Sequence, residues 1–254
     1  TLSDPAVRQA ISLLIDRNAV DNYIYGRTRK ATANYVNGPS QFVSKNTKWE
    51  FNLAKATAIL DKAGYKPGPD GIRAKDGKQL KYTFQTSING PRQQTQEIIK
   101  AACKKAGIDI NIKAVLASVY FSSDVGNPDT YTKFYTDIQM YTVTEGRPDP
   151  GDWMRGFLSD EVAQKSNKWQ GRNITRWRNA EYDKIWHEGA MEIDPVKRAA
   201  LMIKLNDLVI NDVVVIPVIF RFGTSAAVKN LHPSLSGWDN DASNLADWYR
   251  DARA

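Results

Sequence analysis

With Cys103 as its only cysteine, the chain cannot close an internal disulfide, which leaves the redox compartment unspecified. Cys103 lies in IIKAACKKAG beside Ile99 and Ala106 and reads as a small core residue of a helix. Histidine is almost as scarce. His187 and His232 stand about 45 residues apart and form no run of ligands, so no metal site or cofactor is expected. His187, flanked by Trp186 and Glu188, reads as a surface or half-buried helical residue. Neither Gly-x-Ser-x-Gly nor a glycine loop that could cradle phosphate occurs. No apolar run approaches the roughly 18 residues of a membrane-spanning helix. The longest, Val213 to Phe220 (VVVIPVIF), is interrupted by Pro217 and reads as a buried strand, either central or crossing between lobes, because proline would break a ladder inside a sheet. Charge of one sign is also missing as a pattern. The 35 Lys and Arg outnumber 28 Asp and Glu, but they are interleaved with acids, and no nucleic-acid partner is expected. The sequence begins at TLSDPAVRQAISLLIDR, already in a capped helix and without an initiator Met or signal sequence, which reads as a piece of a longer polypeptide.

What is present is well punctuated. Val7, Ala10, Ile11, Leu14 and Ile15 recur at helical spacing behind Asp4 and Pro5, and a second short helix runs to Tyr25, stopped by Gly26. Leu53, Ala56, Ile59, Leu60 and Ala63 make another amphipathic helix, capped by Asn52 and ended by Gly64. The turns Pro69-Asp70-Gly71 and Lys75-Asp76-Gly77-Lys78 bracket a short strand around Ile72 to Ala74 and lead into the strand KYTFQTS. A helix from about Arg92 to Ala106 follows, then the alternating strand IDINIKAVL. That order is a βαβ unit, which implies parallel strands with the helix on one face. A further strand is expected from about Asp137 to Val143. Asn179 and Asp194 cap two later helices, the second opening on Pro195. The tail HPSLSGWDNDASNLADWYRDARA carries Trp238, Leu245, Trp248 and Tyr249 with no partner element of its own, as though built to pack on something else.

The carboxylates of MYTVTEGRPDPGDWM offer the best catalytic case. Glu145 with Asp149 or Asp152 could serve as a glycosidase-like acid and base, provided burial raises one of them. Against it, Asp149 before Pro150 reads as a turn or cap, with Trp153, Met154 and Phe157 as a buried helix face. Binding has better support. Ligands of open α/β sheets sit beyond the carboxyl ends of the strands, and two such ends run into polar loops: Thr86 to Gly90, and Thr142 to Arg147. The first also presents the amino end of the following helix, where Arg92 would suit a carboxylate or another anion. The alternative is that both are ordinary solvated loops.

Taken in order, DPAVRQAISLLIDRNAVDNYIYG, FNLAKATAILDKAGYKPGPDGIRAKDGKQL, RQQTQEIIKAACKKAGIDINIKAV, Pro148-Asp149-Pro150, GRNITRWRNAEYDKIWHEGAMEIDP, KRAALMIKLNDLVINDVVVIPVIF and NLADWYR resemble the second half of the extracellular solute-binding proteins of ABC importers. The family in question binds dipeptides, oligopeptides and nickel complexes. The resemblance implies an α/β, periplasmic-binding-protein-like lobe with a mostly parallel sheet flanked by helices over residues 1–222. Residues 223–254 would be a return segment packing on a first lobe that this chain lacks. It also implies non-catalytic capture by closure of two lobes, with the ABC permease subunits and a small or peptide ligand as partners. The location would be the periplasm, or outside the cell on a lipid anchor. Peptide binders of the family commonly hold the ligand's amine with an Asp three residues before the second Asp of this region; here that position is Gly146, and Glu145 is the candidate substitute, while Arg147 adds a positive charge. The expected ligand-binding residues are Ser87, Asn89, Arg92 and Gln93 at the first strand end and Tyr141, Thr142, Thr144, Glu145, Gly146 and Arg147 at the second.

Overall fold

Helix caps and glycine stops mark out most of the fold in the computed structural model, which describes residues 1–26, 29–222, 225–235 and 244–251. Asp4 Oδ1 accepts from Ala6 N at 2.9 Å to start α1 (Pro5–Leu13), and Asp16 does the same for α2 (Arg17–Val20). The chain then winds through a wider turn, Asp21–Tyr25, to Gly26 at φ 70°. A short strand β1 (Arg29–Ala31) precedes an irregular stretch and α3 (Leu53–Lys62), whose cap is Asn52. A three-strand meander follows, β2 (Lys66–Pro67), β3 (Arg73–Lys75) and β4 (Lys78–Gln79), turning at Gly71 and Gly77, both at positive φ.

The βαβ unit is present as read. Strand β5 (Lys81–Ser87), helix α4 (Gly90–Lys105) and strand β6 (Asp109–Val115) are followed by α5 (Ala117–Tyr120) and β7 (Ile138–Met140). β5 is the centre of a parallel sheet in the order β6-β5-β7, with Ser87 opposite Val115 and Thr86 opposite Met140. Downstream lie α6 (Gly151–Met154), α7 (Ala180–Met191) and α8 (Pro195–Asn211). The expected caps Asn179 and Asp194 each accept from backbone N–H groups of their helices. Strand β8 (Ile219–Arg221) pairs antiparallel with β1, and β9 (Leu231–His232) with β10 (Tyr249–Arg250).

Two apolar clusters support this frame. One joins α1, α3 and α4 to the parallel sheet through Leu14, Leu60, Leu80, Phe84, Ile99, Cys103 and Ile110, so Cys103 is indeed core, and burial pushes its thiol up to about 12. The other joins α6, α7 and α8 to the loop around Val36 and Phe42. Each fully buried leucine contributes about 1.5–3 kcal/mol, whereas an exposed pair such as Lys184 with Glu188 contributes at most about 1 kcal/mol. The clusters therefore set the fold.

Three expectations need correction. The strand expected from Asp137 to Val143 pairs only over Ile138–Met140, because the Met140 carbonyl is taken by the hydroxyls of Thr86 and Tyr120, which ends the ladder there. VVVIPVIF is not one buried strand. Val213 sits at φ 52°, only Ile219 and Phe220 of the run join β8, and all eight residues are half-buried. The Pro217 carbonyl instead meets Arg17 Nε at 2.8 Å. Arg17 is 2% exposed, also donates to Thr32 O, and lies 5.5 Å over the Trp49 ring. Finally, the tail does have an internal partner: β9 pairs with β10, His232 stacks on Tyr249 and bonds Asp251, and Trp248 Nε1 donates to Ser234 O. Trp238 lies outside the described residues.

Candidate functional site

All three strands of the parallel sheet end on the same side, and the polar groups gather there. Asn89 caps α4 with its side chain, accepting from Arg92 N at 3.3 Å, which sets Arg92 one turn above the end of β5. Ser87, 1% exposed, accepts from Arg92 Nη1 at 2.6 Å, and the guanidinium lies 5.7 Å over the Phe121 ring. Ser87, Asn89 and Arg92 are therefore one hydrogen-bonded unit. Gln93 is half-buried on the next position of α4 and joins this unit only through its backbone N–H to Asn89 O.

Beyond β6 and β7 the floor is aromatic. Tyr120 is fully buried and meets Phe121 at 4.9 Å and Tyr141 at 6.4 Å, while Tyr131 meets Tyr141 at 5.2 Å. Tyr141 is thus drawn into the floor, and burial raises its phenol, as it does that of Tyr120. Ile88, Leu116 and Val143 are exposed just past the three strand ends and form an apolar rim. Thr142, Thr144, Gly146 and Arg147 are also exposed. A Cβ at Gly146 would meet nothing within 4 Å, so no steric demand explains the glycine there.

Glu145 differs from its exposed neighbours. Its Oε1 is buried without a hydrogen-bond partner, and burial, with the like charge of Asp149, pushes its carboxyl up to about 7. The same carboxyl and Tyr141, after burial, raise the Tyr35 phenol. Tyr35 stacks on Trp153 at 5.1 Å, and Trp153 Nε1 is likewise buried and without a partner. Asp149 is spoken for. Its two oxygens take Arg198 Nε at 2.5 Å and Nη2 at 2.6 Å, plus Gly151 N at 2.8 Å, and the Arg198 hydrogen bond holds it below the usual carboxylate range. The turn expected at Asp149 is there, with an ion pair added. Asp152 is bound to Arg172 at 2.7 Å. The loop thus offers one carboxyl with an unpartnered oxygen and two held by arginines.

The sequence does not single out Tyr35, Tyr120, Phe121 or Tyr131, and it marks Trp153 only as part of a buried helix face. The signal for three of them was available: residues 120–135 (YFSSDVGNPDTYTKFY) carry five aromatics among turn formers, more apolar surface than a solvated loop keeps. Lys133, 4% exposed, helps fold that loop by bonding Val125 O under the Trp169 ring at 4.7 Å. Elsewhere, hollows of about 620 and 540 Å³ lie along α7 and α8. They are open, with mostly apolar walls such as Met191, Leu201 and Val196. His187 is exposed on α7. Among the described residues, no three His, Cys, Asp or Glu side chains gather as a metal site, and no helix is long and apolar enough to cross a membrane.

Comparison with known proteins bears on the family and the fold. Residues 1–165 match the family described as bacterial extracellular solute-binding proteins, family 5 Middle. The chain is 28% identical over 215 residues to Protein XP55 of Streptomyces lividans, spanning 82% of this chain and 36% of that protein. A probable ABC transporter-binding protein of Deinococcus radiodurans is 32% identical over 118 residues, 44% of this chain and 20% of that one. Among solved structures, the oligopeptide-binding protein of Thermus thermophilus, complexed with a pentapeptide, superposes with a TM-score of 0.76 at 25% identity. It covers 87% of this chain and 38% of that one. The chain thus spans well under half the length of each.

Proposed function

Because the chain belongs to the bacterial extracellular solute-binding proteins of family 5, we propose that it is the second lobe of a two-lobed protein that captures a short peptide, or a related small polar solute, for an ABC importer. The observation that carries this reading is a guanidinium and a carboxyl at neighbouring parallel strand ends. Arg92 is fixed at the exit of β5 by Ser87, and Glu145 is half-buried beyond the exit of β7 with a buried oxygen that has no partner. Between them lies the aromatic floor of Phe121, Tyr120, Tyr131 and Tyr141.

A zwitterion suits that layout. Arg92 spends one N–H on Ser87 and keeps the others for a carboxylate, which a guanidinium meets with two parallel bonds. Glu145 would take the free amine in place of the Asp that peptide binders carry at the position of Gly146. Ligand held between two lobes stabilises closure, and shifting a mostly open population to a mostly closed one takes about 5.5 kcal/mol of differential affinity. One lobe alone binds weakly on this account. Val228, Leu235, Leu245 and Tyr249 are exposed, which supports the reading of residues 223–254 as a segment that covers the first lobe. The permease subunits would meet the closed form outside the cytoplasm, in a periplasm or at a lipid anchor.

Native mass spectrometry of the full-length protein, purified without refolding, should show a co-purified peptide-sized solute. In calorimetry with trialanine, Arg92→Ala should weaken binding by about 1.5–3 kcal/mol, the range for a charge-assisted hydrogen bond. Unchanged affinity would remove Arg92 from the site.

A further inference from the structure

The surroundings of Glu145 are unusual for a carboxylate that only waits for a ligand. Its buried Oε1 meets no donor, and among the described residues no lysine or arginine forms an ion pair with it. The groups acting with it are the Tyr35 phenol, which feels its charge, and the like charge of Asp149. Tyr35 comes from the loop before α3, braced by Trp153 and Phe157. Tyr141 stands at the root of the same loop, backed by Tyr131. Asp149 follows along the chain, and Arg198 of α8 is committed to Asp149 by both of its contacting nitrogens. Arg147 is exposed.

A carboxylate with one oxygen shut away from water and no counter-charge is relieved in one of two ways: it takes a proton, or it takes a cation. Near neutral pH the ligand-free protein uses the first remedy in a large share of molecules, in keeping with a carboxyl pushed up to about 7. An ammonium group brought by the ligand supplies the second.

We propose that this protein captures an amine-bearing solute in exchange for a proton lost from Glu145, so that neutrality favours capture and acid favours release. The proposal rests on the amine-binding role given to Glu145 above. In the exchange the carboxyl O–H bond breaks, its electron pair stays on the carboxylate, the proton leaves to solvent, and the ligand's N–H groups donate to the freed oxygens. Nothing is oxidised or reduced. The complex has a lower carboxyl pKa than the free protein, so affinity rises with pH up to about 7. It falls again once the ligand's own α-amino group, with an ordinary pKa of about 7.7–8.0, loses its proton.

Calorimetry of the full-length protein with trialanine at pH 5.5 and 7.0, in buffers of different ionisation enthalpy, tests the exchange. With a carboxyl at about 7, its ionised share is roughly 3% at pH 5.5 and about half at pH 7.0. Trialanine should therefore bind roughly fifteenfold tighter at pH 7.0, with about half a proton released, and N-acetyl-trialanine should show neither effect. Because Glu145→Gln could abolish binding, the carboxyl is also followed by carbon-13 NMR, with that variant identifying the resonance. The expected midpoint is near 7 without ligand and below 5 with trialanine. A ligand-free midpoint near 4, or equal affinity at both pH values with no proton released, overturns the exchange and leaves the peptide reading standing. A pH slope that persists unchanged in Glu145→Gln places the effect on another group and overturns it too. Failure of trialanine to bind at either pH overturns the peptide reading, and the exchange with it.

Discussion

Asn206→Leu is expected to cost about 3 kcal/mol of folding stability and to weaken ligand binding several-fold, although Asn206 lies inside α8. The residue is fully buried. Its Oδ1 accepts from Tyr35 N at 3.0 Å and Val36 N at 3.2 Å, and its Nδ2 donates to Asn34 Oδ1 at 2.9 Å. Leucine fills a similar volume but leaves two buried N–H groups without partners, at about 1–3 kcal/mol each, and removes one of the two donors to Asn34 Oδ1, which keeps that from Thr47, at about 1 kcal/mol. The total should fall near the lower sum because the freed loop can relax. That relaxation carries the functional effect. Tyr35 leaves its place against Trp153 and Phe157, and the wall that keeps water from Glu145 loosens. Urea denaturation measures the first effect and trialanine calorimetry the second. Stability lost with affinity unchanged would show that the Tyr35 wall does not shape the site.

Arg73→Ala should also be costly, about 2–6 kcal/mol, because it strands two buried carbonyls at about 1–3 kcal/mol each. Arg73 is 6% exposed and donates to Ala106 O at 2.9 Å, Tyr65 O at 2.7 Å and Asp61 Oδ1 at 2.6 Å. One side chain thus fastens the meander strand β3 to the ends of α3 and α4. Arg73→Lys restores the charge but not the three-way reach and should recover only a minor part. The pH dependence has a definite sign. The hydrogen bond from Arg73 lowers the Asp61 carboxyl below its ordinary range, so its contribution is present above the unfolded value, near 4, and is lost as pH falls through the folded one. The gap between the native protein and Arg73→Ala in denaturant midpoint should therefore narrow in acid. A gap independent of pH would place all of the cost on the stranded carbonyls.

Local rules made much of this fold legible. Asp4, Asn52, Asn89, Asn179 and Asp194 each cap a helix within three residues of themselves, so each could be read without knowing what lay across the molecule. The parallel pairing of β5 with β6 followed from one helix between two alternating runs. Failures came where distant groups intervened. β7 is cut short by hydroxyls from Thr86 and Tyr120, and VVVIPVIF is bent by a turn at Val213 and a carbonyl given to Arg17. The candidate site divides the same way. Arg92, Ser87 and Asn89 interact within five residues of one another and could be assembled from sequence. The burial of Glu145 depends on Tyr35, about 110 residues earlier, and the placing of Tyr35 depends on Asn206. No local pattern contains that chain of support.

Arg17 bears on how a closing motion could be shaped. It bonds Thr32 O beside β1 and Pro217 O before β8, and Thr32 N to Val218 O at 3.2 Å extends the pairing of the two strands. A cation fixed to both strands at their root forbids sliding of one past the other, since any slip would break one of its bonds. Bending and twisting of the paired strands beyond that point leave all of its bonds intact. If β1 and β8 join the two lobes, the permitted movement is a swing about a fixed pivot, with shear filtered out. The ends of β5 and β7, carried on the lobe that Arg17 anchors, would then arrive at the opposite lobe in a single orientation each time it closes.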